Sequence, residues 1–240
     1  DAAESGVFPW TIPGVSEPIP SPVPDLLPQP PEVVDPVIPD ESEEPVSQFT
    51  TVDASYFDDA LFLGDSHTDG FHDYAGLGNA TYFTKNGLTV KDAMEKSFIE
   101  LDGKKVTLAE ALGTRQFGKV YILLGINEIG AYTAADWAAQ YKSLLDLVRE
   151  KQPDAVIFIQ SIFHTTQKKS DSSYFKNEVI NERNAAIAQL ADGKTIFYLD
   201  LNPLFDDGAL RADYSGDGVH VRAPYYVQWR DVLYRFGVVK

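Results

Sequence analysis

Five short apolar runs divide this chain, and helical stretches fill the intervals between them. The runs are 60–64 (Ala-Leu-Phe-Leu-Gly), 80–83, 119–124 (Lys-Val-Tyr-Ile-Leu-Leu), 155–160 (Ala-Val-Ile-Phe-Ile-Gln) and 195–199. Each is short, rich in β-branched or aromatic residues and continuously apolar, which reads as a strand buried on both faces. Between them, residues 133–151 open with Thr133-x-x-Asp136, a capping pattern, and carry Trp137, Tyr141, Leu144, Leu145 and Val148 on one face. Residues 174–190 read as a second helix. Thr107-x-x-Glu110 opens a short one, and 224–236 reads as the last, with proline in its first turn. Strands alternating with helices imply a parallel sheet covered on both faces. Ligands of such sheets bind beyond the carboxyl ends of the strands, so the residues after each strand carry the functional information.

The first quarter of the chain is different. Twelve of its fifteen prolines fall between Pro9 and Pro45, and residues 1–55 hold eleven acidic residues and no lysine or arginine. A segment with so few backbone donors and so many fixed φ angles favours extended polyproline II over helix or sheet. Residues 1–55 therefore read as an acidic, Pro-rich tail or linker, and 56–240 as the globular domain. Val7, Phe8, Trp10 and Ile12 are apolar enough to dock on the domain or on a neighbour.

The net charge of −16 lies mostly in that tail, and an acidic balance argues against nucleic-acid binding. The absence of cysteine excludes disulfides, thiolate metal sites and a cysteine nucleophile. No run of about 18 apolar residues appears, so no transmembrane segment is expected. A first residue other than Met fits a trimmed product, with a targeting signal or surface anchor upstream of residue 1.

Four segments sit at the strand ends or before the last helix: Gly64-Asp65-Ser66-His67, Lys85-Asn86-Gly87, Gly125-Ile126-Asn127-Glu128 and Asp217-Gly218-Val219-His220. A serine hydroxyl is a weak nucleophile that needs an adjacent base, and a histidine backed by a carboxylate supplies one. Ser66, His220 and Asp217 can fill those roles. A tetrahedral oxyanion needs fixed donors. The Ser66 N–H at a helix start, the unobstructed Gly87 N–H and the Asn127 amide are candidates.

These blocks, in this order and spacing over residues 56–240, resemble the SGNH (GDSL-type) hydrolase family. Gly64-Asp65-Ser66 matches its first block, Gly87 its oxyanion glycine, Gly125-Ile126-Asn127-Glu128 its Gly-x-Asn-Asp block, and Asp217 to His220 its Asp-x-x-His block. Two positions depart from the pattern. His67 stands where leucine or arginine is usual, and Glu128 where aspartate is. The layout is similar to small secreted domains of Gram-positive bacteria. The resemblance implies a three-layer α/β/α domain with a five-stranded parallel sheet in flavodoxin-like order. It also implies a serine esterase that works through an acyl-Ser66 intermediate without a cofactor. His67, Glu128, His164 and Tyr214 are expected on the substrate side. Asp65, His67, Asp69 and His72 crowd together, but a nucleophile in their midst explains the segment better than a metal does. No long apolar lid insertion is evident, which disfavours long-chain lipids. An acetyl or other short-chain ester on a carbohydrate, cell-wall glycan included, is the expected substrate, and the expected location is extracellular or at the cell surface. Acyl transfer to a glycan by the same groups, or a catalytically silent surface module, are the competing expectations.

Overall fold

The computed structural model describes residues 49–205 and 207–239. The reading of residues 1–48 as a linker, including its apolar cluster near Trp10, lies outside the described residues.

The elements in chain order are β1 (Ala60–Gly64), α1 (Ser66–Tyr74), β2 (Thr81–Thr84), α2 (Val90–Glu95), β3 (Ile99–Leu101), β4 (Lys104–Val106), α3 (Leu108–Leu112), β5 (Lys119–Leu123), α4 (Ala134–Lys151), β6 (Val156–Gln160), α5 (Gln167–Ser172), α6 (Asn177–Ala188), β7 (Ile196–Leu199) and α7 (Ala223–Leu233). The main sheet has the order β2-β1-β5-β6-β7, and every pairing in it is parallel. Numbered among themselves, its strands run 2-1-3-4-5, the flavodoxin-like order. The fold is the expected three-layer α/β/α architecture.

Alternation along the strands feeds two cores. Leu61, Leu63, Val120, Ile122, Ile157 and Ile159 pack against α2, α3, α4 and α6. On the other face Phe62, Tyr121 and Phe158 pack with α1 and α7, through Phe71, Tyr226, Trp229 and Leu233. There, Tyr82, Phe62, Tyr121, Phe158 and Phe197 stand side by side at one register across all five strands. Their ring centroids are 5.3, 4.7, 4.5 and 5.8 Å apart in that order, all stacked. Such cross-strand aromatic neighbours pin the register that aligns the strand ends.

Three features differ from the sequence reading. The folded body begins before residue 56. Thr50 and Gly237 exchange two backbone hydrogen bonds of 2.8 and 2.9 Å, and the Phe49 ring packs edge-on against Phe197 and Phe236. The helix expected over 174–190 is α6, three residues shorter at its start, and a separate short helix that was not expected, α5, precedes it. Lys176 Nζ donates to the Ser170 and Asp171 carbonyls at the end of α5, and the Asn177 N–H donates to Ser170 Oγ, so the chain turns there. Finally, β3 and β4 form an antiparallel hairpin through Asp102-Gly103, both at positive φ (51° and 74°), the pairing a two-residue type I′ turn requires. Among the described residues no helix is long and apolar enough to cross a membrane.

Candidate active site

The site forms beyond the carboxyl ends of β1, β2 and β5. Asp65 caps α1, accepting the His67 N–H at 3.0 Å, so Ser66 becomes the first helical residue. Its N–H is one of the first-turn donors a helix cannot use internally, and it has no partner among the described residues. Ser66 Oγ lies 2.8 Å from His220 Nε2, and His220 Nδ1 lies 2.6 Å from Asp217 Oδ2. Asp217 Oδ1 also accepts the backbone N–H groups of Val219 and His220, each at 2.9 Å. Burial alone would raise the Asp217 carboxyl. The hydrogen bonds from the His220 ring and from the two backbone amides outweigh it and hold the group well below the usual carboxylate range.

Ser215 closes the turn that carries these two residues. Its hydroxyl accepts the Gly218 N–H at 2.9 Å and donates to the His220 carbonyl at 2.8 Å. Nothing in the sequence reading singled it out.

Asn127 stands on a single 3-10 turn, Ile126–Glu128, after β5. Its Nδ2 donates to Asp65 Oδ2 at 3.3 Å and to the Leu88 carbonyl at 3.2 Å. These are contacts at the long end of the normal range. Arg183 of α6, fully buried, clamps the turn from beneath by donating to the Glu128 carbonyl at 2.6 Å and the Ile129 carbonyl at 3.3 Å. In the sequence Arg183 stands among polar residues, Asn181-Glu182-Arg183-Asn184, and nothing there marks it as buried. Gly87 follows β2 with φ +74°, and a Cβ there would meet no atom within 4 Å, so the backbone is open to the cleft.

Ser66, Asn86, Gly87, Asn127, Lys169 and His220 are among the residues that line a cleft of about 540 Å³, with Ile126, Phe175 and Val219 as its apolar wall. The structure thus brings together Ser66, His220, Asp217, Gly87 and Asn127. Asn86, Ile126, Lys169 and Phe175 are cleft residues that were not anticipated.

The four expected substrate-side residues are placed elsewhere. His67 is buried beneath the site. Its Nδ1 faces Asp65 Oδ1 at 3.3 Å, its Nε2 faces the Val219 carbonyl at 3.1 Å, and its ring lies 5.0 Å from that of His220. Burial disfavours its charged form, but the Asp65 carboxylate and then the Val219 carbonyl outweigh this and raise its pKa. Both nitrogens facing acceptors is the arrangement of an imidazolium. Glu128 is also buried. It accepts from Trp137 Nε1 and, at 3.2 Å, from the Val90 N–H at the start of α2. It ties the Asn127 turn to two helices and does not reach the cleft. His164 is buried, with Nε2 2.6 Å from Asn181 Oδ1. Tyr214 stacks on Tyr225 at 3.8 Å, with the Arg211 guanidinium 4.6 Å from its ring centre. Neither lines the cleft. The crowded acids and histidines do not converge either. Asp65 pairs with His67, Asp69 accepts from Thr84 Oγ1, and the exposed His72 ring lies against Tyr82.

A parallel sheet with a serine–histidine–carboxylate chain and unpaired donors at its carboxyl edge has the layout of a hydrolase. The family is specific: residues 62–226 match the model of the GDSL-like lipase/acylhydrolase family, and the chain belongs to it. No curated protein matches the chain. Among solved structures it is similar to a protein from Streptococcus pneumonia, at 21% identity over 74% of this chain and 84% of that one, with a TM-score of 0.58. It is also similar to a GDSL-like lipase from Bacteroides thetaiotaomicron, at 18% identity over 72% and 84%, TM-score 0.55. A carbohydrate esterase family 3 structure from Talaromyces cellulolyticus matches at 16% identity over 72% and 94%, TM-score 0.50. At these identities the likeness concerns the fold.

Proposed function

We propose that the protein is a serine esterase that removes a short acyl group, acetyl in the simplest case, from an acylated carbohydrate outside the cytoplasm. One observation carries the reading: the continuous chain Ser66 Oγ–His220 Nε2–Asp217, at 2.8 and 2.6 Å, opens onto the cleft lined by Gly87 and Asn127.

The chemistry follows from the roles these atoms can fill. His220 Nε2 takes the Ser66 hydroxyl proton as Oγ bonds to the ester carbonyl carbon. Negative charge moves onto the carbonyl oxygen, where the Ser66 and Gly87 N–H groups and the Asn127 amide receive it. Asn127 releases its long contact to the Leu88 carbonyl in exchange. Collapse breaks the bond to the alcohol oxygen, which leaves with the proton held by His220. Water then gives a proton to His220 and its oxygen to the acyl carbon, and Ser66 regains its hydrogen as the carboxylic acid departs. Asp217 stays ionised throughout and holds the His220 ring in one tautomer.

The cleft supports the short chain. Among the described residues its apolar lining is limited to Ile126, Phe175 and Val219, a small apolar surface that suits a short acyl group. A carbohydrate esterase among the proteins of like fold fits the sugar alcohol. The test is acetate release from acetylated oligosaccharides by the native protein and by Ser66→Ala. Release by the native protein alone is expected. Release unaffected by the substitution overturns the reading.

A further inference from the structure

Among the described residues lining the Ser66 cleft, Lys169 is the one lysine or arginine. It is held in place rather than waving in solvent. A Cβ on Gly218 would stand 2.9 Å from Lys169 Cβ and 3.4 Å from its Cγ, so the lysine stem packs on the bare backbone of the turn that carries Asp217 and His220. The Thr166 N–H, at the cap of α5, donates to the Gly218 carbonyl at 2.9 Å and fastens the same contact. The ammonium lies 5.4 Å from the centre of the Phe175 ring, which also lines the cleft. Phe175 in turn packs at 4.1 Å on Tyr174, a residue that is 60% exposed. No carboxylate lies within 4.0 Å of the Lys169 ammonium among the described residues.

The surroundings make this charge unusual. The chain carries a net charge of −16, which repels anions at long range. Yet a second hollow, of about 520 Å³, adjoins the cleft and shares Lys169 and Asp217 with it. That hollow continues past Lys168 toward Arg211. Arg211 is paired with Asp213, whereas Lys168 is exposed and makes no ion pair among the described residues. Asp207 and Asp217 line the hollow as well, so the positive charge free to meet an anion is that of Lys169 at the cleft and of Lys168 beside it, with the exposed Tyr174 ring next to Phe175.

We propose that Lys169 is a specificity residue that selects acylated sugars bearing an anionic oxygen group, a carboxylate or a phosphate, beside the ester, with Phe175 and Tyr174 supporting the sugar ring. This inference rests on the Ser66 esterase reading. An ammonium on a stem that is packed in place loses less freedom on pairing with such a group than one on a free side chain, and a neutral sugar leaves it unpaired. The apolar faces of sugar rings match exposed aromatic rings, which are rigid and amphipathic.

The experiment measures kcat/KM of the full chain on three acetylated sugars: a galacturonate oligomer, a sugar phosphate and a neutral xylo-oligosaccharide. 4-Nitrophenyl acetate serves as reference. At low ionic strength at least one anionic substrate is expected to be favoured over the neutral one by about fivefold, the upper end for a partly exposed charge pair. That preference should shrink at about 0.5 M salt, where screening is strong. Lys169→Gln, which keeps most of the stem, should bring the ratio close to that of a neutral site through KM. The distant Lys142→Gln should leave the ratio as it is. Preference for only one of the two anionic sugars identifies the source of the charge and supports the proposal. Equal rates on all three sugars, or a preference that survives both Lys169→Gln and salt, overturns it while 4-nitrophenyl acetate is still cleaved. Loss of Ser66-dependent cleavage of 4-nitrophenyl acetate by the native protein instead overturns the esterase reading, and this inference with it.

Discussion

Replacing His67 tests how the site is supported from below. Asp65 is fully buried, and its carboxylate faces the His67 ring on one oxygen and Asn127 on the other. In His67→Leu the carboxylate keeps only uncharged donors, and the Val219 carbonyl loses its partner. Breaking a buried pair by removing one member costs about 3–5 kcal/mol, out of a total stability of about 5–15. For a domain of this size each kcal/mol moves the melting temperature by about 2–4 °C, so a fall of about 6–20 °C is expected. The effect has a pH signature. His67 is raised above its ordinary value of 6.5 in the folded state. Its stabilisation is fully present below that value and is lost as pH rises through the higher folded pKa. The gap in melting temperature between native protein and variant should therefore be widest near pH 6 and narrow on the alkaline side. Scanning calorimetry from pH 5.5 to 9 measures both features. A variant that melts within about 2 °C of the native protein at pH 6, or a gap that widens with pH, refutes the buried imidazolium.

Other perturbations act at the reacting end. Asp217→Asn should lower kcat about 10³–10⁴-fold on 4-nitrophenyl acetate with little change in KM, because the amide no longer enforces the His220 tautomer. The depressed Asp217 carboxyl also gives the fold a stabilising contribution that is present above its ordinary value of 3.8 and fades as pH falls through the lower folded value; acid titration followed by circular dichroism should show this fading moved in the variant. Asn127→Ala should cost about 10²–10³ in kcat if its amide meets the oxyanion, and steady-state kinetics would show a loss of less than tenfold if it does not.

Much of the fold was legible because its strands are short, continuous apolar runs, a pattern that depends on few long-range contacts. The rule that α/β sheets bind beyond their strand ends then pointed to Ser66, Gly87 and Asn127, and the spacing of Asp217 and His220 to the turn between them. What failed was direction. His67 follows the serine, but one helical step turns it toward Asp65 and Val219 beneath the site. Glu128 follows Asn127, yet Trp137 and the start of α2 draw it inward. Neither orientation is visible in a list of neighbours along the chain. The break between α5 and α6 depends on Lys176 and Ser170 meeting across a turn, so Lys169 and Phe175 could not be placed at the cleft beforehand. The β3–β4 hairpin did carry a local sign, Asp102-Gly103, but its three-residue strands are too short to show alternation.

The central claim is that Ser66 is the nucleophile, and trapping the covalent enzyme tests it most directly. The native protein is treated with a fluorophosphonate, and intact mass and peptide mapping locate the adduct. One adduct per chain on Ser66, absent from Ser66→Ala and strongly slowed in His220→Ala, is the predicted result. An unlabelled native protein, or an adduct that forms on another residue and persists in Ser66→Ala, would contradict it.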